Sequence, residues 1–248
     1  MSPYLYKFNA LGTPTPESYV RTSAKLTYVV ESIRTIKEHH ERTNTPMSGI
    51  VIYMERGVQL FDLLREYIIK YLGFQPHEVG IISADTRVPV EKGITSEEAK
   101  EYVKNLFNGE KYNKGTGLVE TLPDSQRLKI LIGSATIKEG MNLQKYSSTL
   151  FNCFLSFNPT DIQQLEGRIY RQKNAFKNVR IVNPLLIDSA DIFMFEKLDQ
   201  KTSRINSIFE TDGHTNVLKT EEFDPGELKY ALIKDPLVIA RMELIEEN

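Results

Sequence analysis

Two arginines and a glutamine share the stretch DIQQLEGRIYRQKN, residues 161–174. If this stretch is a helix, Gln164, Arg168 and Arg171 occupy positions i, i+4 and i+7, so an amide and two guanidinium groups project from one face. A guanidinium is permanently charged and donates two parallel hydrogen bonds, a geometry that suits phosphate oxygens and that a lysine ammonium cannot reproduce. The alternative is a salt-bridged surface helix without a ligand.

A glycine interrupts this polar face and lowers the stability of the predicted helix. Gly167 lies in the middle of the stretch, where glycine destabilises a helix by about 1 kcal/mol relative to alanine. The start of the helix is marked by Pro159 and by Thr160 and Gln163, which have the spacing of a capping box. We therefore predict one continuous helix from this cap through Asn174.

A second segment, LKILIGSATIKEGMNLQ at 128–144, has the pattern of a buried strand that ends in a turn of small residues. It leads through Ser134 and Gly140 to Asn142. Ligands of open parallel α/β sheets bind at the carboxyl ends of the strands. Both this segment and the helix at 161–174, which directly follows another apolar run, would present their polar residues at such an edge.

The composition is that of a soluble globular protein. The chain has 248 residues, of which 40% are apolar and 26% are charged, enough for one large or two small domains. No apolar run is long enough for a membrane span or a secretory signal, so the cytoplasm is the expected location. Cys153, the single cysteine, is expected to be buried packing. The four histidines, His39, His40, His77 and His214, lack metal-site spacing, and we expect no metal ligands.

The chain as a whole is not basic, but one segment of it is. The formal net charge is −2, which argues mildly against a surface that is basic throughout and coats nucleic acid. Residues 168–180, in contrast, contain three arginines and two lysines without a carboxylate. A solvated basic face is the alternative to a binding surface here.

Short β-branched runs alternate with amphipathic helical patterns along the chain. The predicted strands are 49–54, 79–84, 128–133, 149–157 and 178–183. The predicted helices are 23–40, 57–72, 95–109, 161–174 and 189–209. Thr95 and Glu98 form a capping box, and Asp188 is the expected cap of the last helix. This alternation predicts an α/β fold with a central, mainly parallel sheet covered by helices on both faces.

The flanks differ in character from this predicted domain, which extends over 22–210. Residues 1–21 contain alternating threonine and proline and are expected to form an extended connector. Residues 211–248 are expected to form an extension with a short amphipathic helix. Both flanks are interpreted as edges of a longer polypeptide.

The order of these segments resembles the second RecA-like lobe of superfamily two helicases and translocases, most closely the Swi/Snf branch. Gly-Met-Asn-Leu at 140–143 resembles the end of the fifth motif, and Gln164, Arg168 and Arg171 have the spacing of the sixth. SAKLTYVVESI, GIVIYMERG, EAKEYVKNLFN and NVRIVNPLLIDSADIFMFEKLDQK match the surrounding elements in order. The resemblance covers residues 22–210 and implies a RecA-like three-layer domain.

The resemblance also implies roles for individual residues. Arg168 and Arg171 would be arginine fingers, and together with Gln164 and Gly140 they would bind ATP whose magnesium is held mainly by a first lobe. Ser134, Lys138 and Asn142 would contact nucleic acid, most simply duplex DNA. For Ser134 and Asn142, a turn that satisfies only itself is the alternative.

Two departures from the family pattern weaken assignment to the Swi/Snf branch more than assignment to the superfamily. The segment 136–139 replaces a glycine-rich run, and Gln172, Lys173 and Asn174 replace Ile-Gly-Gln.

The chain lacks the other half of a motor. GEKYNKGTG, from Gly109, has the glycine and lysine of a phosphate-binding loop exchanged and follows a helix, so we interpret it as a flexible insertion, disordered as far as Asp124. No other phosphate-binding loop or Asp-Glu metal box occurs. We therefore expect no ATP hydrolysis by this chain alone. The alternatives are an RNA helicase lobe of the same superfamily and a silent interaction scaffold.

Overall fold

The computed structural model describes residues 13–86, 95–112, 117–187 and 189–210. The Asp188 cap, His214, the first part of the predicted connector and the extension at 211–248 lie outside these ranges. So does the exchanged triplet of the decoy loop.

Five parallel strands form the central sheet of the described structure. In sequence order they are β1 (Gly49–Tyr53), β2 (Val79–Ile82), β5 (Ile130–Gly133), β6 (Ser147–Asn152) and β7 (Arg180–Val182). Their spatial order is β2-β5-β1-β6-β7, and every pair is parallel. All five predicted strands are therefore confirmed, and each is slightly shorter than its apolar run.

The sheet is buried on both faces, which explains why its strands consist of continuous apolar runs. Along β1, Ile50 and Ile52 enter one apolar cluster, whereas Val51 and Tyr53 enter the other. Alternate side chains of a strand point to opposite faces, so the two clusters lie on opposite sides of the sheet. The three-layer α/β arrangement expected from the sequence is thus present.

Six α-helices of the described ranges accompany the strands. They are α1 (Pro16–Arg21), α2 (Ala24–Thr43), α3 (Phe61–Leu72), α4 (Ser96–Phe107), α5 (Pro159–Glu166) and α6 (Ala190–Glu210). Thr95 and Glu98 form the predicted capping box of α4. Helix α2 begins after Ser23, whose hydroxyl accepts a hydrogen bond from the Leu26 amide at 3.4 Å. These caps satisfy amide donors that the first helical turn leaves unpaired.

Part of the predicted extended connector, Pro16–Arg21, is a helix, so the expectation of an extended chain is wrong there. Thr15 caps α1 in a capping box with Ser18, and Tyr19 and Val20 are only 2% and 1% exposed within the first apolar cluster. The alternation of threonine and proline suggested extension, but proline is well tolerated in the first turn of a helix, where its missing N–H is not needed.

The expectation of a flexible insertion from Gly109 to Asp124 also needs correction. Strands β3 (Glu110–Tyr112) and β4 (Val119–Thr121) pair antiparallel, with Tyr112 opposite Val119. Their side chains are mostly exposed, so the segment shows no apolar alternation from which a strand could be predicted. Gly109 has a φ of +67° directly after α4, as expected for a glycine that ends a helix.

The chain divides into two compact units. The first contains residues 1–154 and 161–184, and the second contains 155–160 and 185–248. The predicted helix at 189–209 corresponds to α6 of the second unit. Of its expected apolar edge, Leu198 is buried, whereas Phe195 and Ile205 are exposed. The predicted domain limits of 22 and 210 stay predictions.

Candidate functional site

The carboxyl ends of three neighbouring strands, β5, β1 and β6, bring the candidate residues to one edge of the sheet. Strand β1 leads to Glu55, and β5 leads into a 3-10 turn, Ala135–Lys138. Helix α5 follows β6 and carries Asp161 and Gln164. Because all three strands run in the same direction, residues distant in sequence meet here.

Lys138, Glu55 and Asp161 form an ion-pair cluster at this edge of the sheet. The Lys138 Nζ lies 2.5 Å from Glu55 Oε1 and 3.5 Å from Asp161 Oδ2. The Tyr53 hydroxyl also donates a hydrogen bond to Glu55. Lys138 therefore has carboxylate partners inside the chain, a contact that the sequence prediction of a nucleic-acid role did not include.

The cluster changes the protonation behaviour of its members. Burial alone would lower the pKa of Lys138, but the hydrogen bond to Glu55 and the charges of Glu55 and Asp161 raise it above its ordinary value. Burial, followed by the hydrogen bond to Glu55, raises the pKa of Tyr53. At neutral pH Lys138 is therefore a protonated, internally bonded cation and Tyr53 is a neutral donor.

Arg168 is held against the turn that contains Lys138. Its Nη2 donates a 2.5 Å hydrogen bond to the Lys138 carbonyl, and its own carbonyl accepts a 2.9 Å hydrogen bond from the Leu143 amide. Its Nε is buried and has no hydrogen-bond partner in the described part of the chain. A buried charged donor without an acceptor is costly, so this atom marks a place where an acceptor is needed.

Arg171 is exposed, and Asn142 at the other end of the same loop binds it. Its Nη1 donates a hydrogen bond to Asn142 Oδ1. The Asn142 carbonyl accepts a 2.7 Å hydrogen bond from Asn108 Nδ2, which anchors the loop to the end of α4. The remaining donors of the exposed Arg171 fork are thus available to an anionic ligand.

Gly140 and Ser134 have different roles in the loop. Gly140 is exposed, has a φ of +75°, and an added Cβ would meet no atom within 4 Å, so glycine serves the backbone conformation here. Ser134 is buried, its amide donates to the Ile82 carbonyl at 3.0 Å, and its Oγ lies 3.3 Å from Thr136 Oγ1. These contacts favour the alternative of a self-satisfied turn for Ser134.

The prediction of one helix over 161–174 is wrong, because α5 ends at Glu166. The Gly167 amide still bonds to the Gln163 carbonyl, but the Arg168 amide bonds to Leu165 in a tighter turn. The Arg168 carbonyl accepts a hydrogen bond from the Leu143 amide in place of the bond from residue 172 that would continue the helix. Arg168 and Arg171 consequently lie in turns after the helix, and Gly167 marks the end of α5.

The predicted capping box at the start of this helix is also wrong. Helix α5 already begins at Pro159, and the Thr160 amide donates a 3.1 Å hydrogen bond to Asn158 Oδ1. Thr160 therefore lies inside the first turn, and the Asn158 side chain occupies the capping role. Gln164 is exposed on α5.

The structure brings together most of the predicted site residues and adds others. Lys138, Gly140 and Asn142 form one loop, and it binds both arginines. Sequence reasoning missed Glu55, Tyr53 and Asp161. Glu55 had a signal, because it lies two residues after a buried strand whose end faces the expected ligand edge.

The site presents guanidinium donors of the kind that bind anionic groups. The exposed Arg171 fork and the orphaned Arg168 Nε are both permanently charged donors at one edge of the sheet. In the described ranges, no three histidine, cysteine or carboxylate side chains cluster as a metal site. None of the helices placed in those ranges is long and apolar enough to cross a membrane.

Comparison with solved structures identifies the fold. The structure is similar to the C-terminal part of the Fun30 ATPase domain, with a TM-score of 0.52 and 16% sequence identity. The match covers 91% of this chain and 55% of that one, so the chain spans little more than half of the matched structure. The RecA-like α/β fold predicted from the sequence is thereby confirmed. The sequence itself matches no family model and no curated protein.

Proposed function

We propose that this chain is the second motor lobe of an ATP-dependent nucleic-acid translocase, acting with a first RecA-like lobe. One observation carries the proposal. Arg168 and Arg171 are both bound by the loop 138–142 at the carboxyl edge of a parallel sheet, where α/β proteins bind ligands. The structural similarity to part of an ATPase domain supports the same conclusion.

The nucleotide-facing residues in this proposal are Arg168, Arg171, Gln164 and Gly140. Bound ATP supplies the phosphoryl group that is transferred, and the first lobe holds its magnesium ion. Arg171 directs its free donors at the phosphate oxygens. The buried Arg168 Nε has no acceptor in the described part of the chain, and Arg168 would gain one from the phosphate if its side chain turned toward the nucleotide. Positioned guanidinium groups of this kind contribute about 10³ to 10⁵ in rate in phosphoryl transfer.

The nucleic-acid contact belongs to the same loop. Asn142 is exposed, and its amide nitrogen is free to donate to a backbone phosphate while its oxygen holds Arg171. Ser134 and Lys138 lie behind it and support the loop through their internal hydrogen bonds. Because Asn142 contacts Arg171 directly, a strand that moves Asn142 would also move the proposed arginine finger.

Substitution of Arg171 tests this function in a polypeptide that contains the first lobe. We expect Arg171→Ala to lower nucleic-acid-stimulated ATP turnover by at least about 10³, while the affinity for duplex DNA changes by less than about threefold. Lys177→Ala removes an exposed cation from the same basic segment and is the matched control. Turnover in this control should equal that of the parent protein.

Three results would separate this proposal from its alternatives. Undiminished turnover in Arg171→Ala would refute the arginine-finger role. Stronger stimulation by RNA than by duplex DNA would identify an RNA helicase lobe. Failure of the two-lobe polypeptide to bind ATP would identify an interaction scaffold that shares only the fold.

A further inference from the structure

A groove of about 860 Å³ lies at the amino ends of the strands, at the edge of the sheet opposite the candidate motor site. Ser48 immediately precedes β1, Ser148 is near the start of β6, and Arg180 begins β7. The last turns of α2 cover these strand ends. The volume is within the range of roughly 300–1,000 Å³ that is typical of small-molecule sites.

Two arginines and one glutamate are the charged residues that line the groove. Arg42 and Arg180 are both exposed, and neither forms an ion pair with a residue in the described ranges. Glu38 is the single carboxylate among the lining residues that the structure describes. Glu38 and His39 precede Arg42 by four and three residues on α2, so each is a neighbour of Arg42 on the helix surface. Two unpaired guanidinium groups suit a phosphate group.

A fixed chain of hydroxyl groups forms the floor beside these cations. Ser148 Oγ donates to Ser48 Oγ at 2.6 Å, and Ser48 Oγ lies 3.1 Å from His40 Nε2. The other ring nitrogen of His40 is 2.8 Å from Thr45 Oγ1. Burial, followed by the neighbouring His39, lowers the pKa of His40, so its imidazole is neutral at pH 7. These internal hydrogen bonds hold the floor of the groove in place, so it needs little reordering when a ligand binds.

The rest of the wall is apolar. Ile36, Phe176 and Val179 line the groove together with the amide of Asn178. An aromatic ring such as Phe176 offers a stacking surface to a planar heterocycle, and an amide can hydrogen-bond its polar edge. Cations and hydroxyls on one part and an aromatic wall on another match a ligand with one phosphate and one ring.

We propose that this groove binds a small phosphate monoester with an aromatic base, the size of a nucleoside monophosphate. Arg42 and Arg180 bind the phosphate, and Phe176 packs against the base. The inference does not depend on the proposed motor function, because none of the groove residues belongs to the site at the carboxyl edge.

Titration of the full 248-residue chain with AMP tests the proposal. Calorimetry gives the affinity, and amide NMR shifts at Ser48, Ser148 and Arg180 report the position. We expect AMP to shift these resonances and adenosine to bind at least about tenfold more weakly, since it lacks the phosphate. Arg42→Gln and Arg180→Gln should each lower the AMP affinity at least about tenfold.

Matched controls distinguish the groove from other surfaces. Arg34→Gln on α2 and Lys177→Gln next to β7 remove cations that do not line the groove, and both should leave AMP affinity within about twofold. All of these side chains are at least partly exposed, and circular dichroism checks that each variant is folded.

Four outcomes would overturn the proposal. They are no shift in the groove resonances at millimolar AMP, equal affinity for adenosine and AMP, unchanged affinity in both Arg42→Gln and Arg180→Gln, and an equal loss of affinity in the control Lys177→Gln. A ten-nucleotide single strand that binds the groove more tightly than AMP, with the same dependence on both arginines, would identify a phosphate ester within a strand and would overturn the small-molecule assignment.

Discussion

The three cations of the candidate site each have a different acceptor. Lys138 is bound by two carboxylates, Arg168 by a backbone carbonyl, and Arg171 by the side-chain oxygen of Asn142. These acceptors differ in how firmly they hold a charge, since carboxylates form the strongest pairs. Lys138 is thus the fixed point of the loop, and the exposed Arg171 is the member that is freest to bind a ligand.

Substitution of Glu55 should show how much the ion pair between Glu55 and Lys138 stabilises the fold. In Glu55→Gln, Lys138 keeps only Asp161 at 3.5 Å, and its side chain is only 16% exposed. We expect the free energy of unfolding, measured by urea denaturation at pH 7, to fall by about 1–3 kcal/mol. Glu101→Gln, which removes the exposed partner of Lys104, should cost at most about 0.5 kcal/mol.

The pH dependence of this difference follows from the raised pKa of Lys138. A group whose pKa is raised in the folded state contributes stability that is complete below its unfolded pKa, 10.5 for lysine, and that is lost as pH rises through the folded value. The cost of Glu55→Gln should therefore stay constant between pH 6 and 9. Equal costs for Glu55→Gln and Glu101→Gln would contradict the proposed role of the cluster.

At the scale of elements, strands were more predictable than turns. Each strand of the central sheet is buried on both faces, so its whole apolar run is visible in the sequence. The hairpin β3–β4 has exposed faces and showed no such pattern. The predicted helix over 161–174 is too long because the spacing of its polar residues suits a helix throughout, although Gly167 disfavours one. The hydrogen bond between Leu143 and Arg168 also cannot be seen in the sequence.

The candidate site was predictable to the extent that its residues follow strands or share a segment. Arg168, Arg171 and the loop 138–142 were found from their spacing and order. The pairing of Glu55 with Lys138 was not, since 83 residues separate them and only the order β5-β1 in the sheet brings them together. Sequence spacing carries no information about strand order, so contacts of this kind require the fold.

Gly133 fixes how the turn that carries Lys138 sits on the end of β5. A Cβ added there would lie 2.6 Å from Ile137 Cγ2 and 2.9 Å from Ile137 Cδ1, and Ile137 is fully buried. We expect Gly133→Ala to lower the free energy of unfolding by about 1–3 kcal/mol, because a branched, buried side chain cannot move aside freely. Urea denaturation provides the measurement.

A double-mutant cycle identifies the cause of that loss. In an Ile137→Ala background the two close contacts no longer exist, so adding Gly133→Ala should cost less than about 0.5 kcal/mol. Strictly additive costs for the two substitutions would show that Gly133 matters for some reason other than its approach to Ile137.

At the scale of the whole molecule, one parallel sheet separates two polar edges. The carboxyl edge holds the two arginines proposed to face ATP, and the amino edge holds the groove proposed to bind a nucleoside monophosphate. The formal net charge of −2 hides both cationic regions. Both proposed functions therefore depend on where the fold places the charges and not on the net charge.

If the ATP site is shared between two lobes, the chain alone should not hydrolyse ATP. The sequence has no Gly-x4-Gly-Lys-Ser/Thr pattern to supply the phosphate-binding lysine, and arginines without that lysine and a bound metal ion do not complete phosphoryl transfer. We expect the isolated chain to release phosphate from ATP no faster than a buffer blank, with or without duplex DNA. Circular dichroism and a cooperative urea transition establish that it is folded.

The informative comparison is between this chain and the same chain joined to, or mixed with, a first lobe. Stimulated turnover that appears only with the first lobe, and that disappears in Arg171→Ala, is the expected result, because each lobe then supplies half of one site. Turnover by the isolated chain would contradict this if it is stimulated by nucleic acid and abolished by Arg171→Ala. The whole catalytic centre would then have to lie within these 248 residues, and the two-lobe interpretation would be wrong.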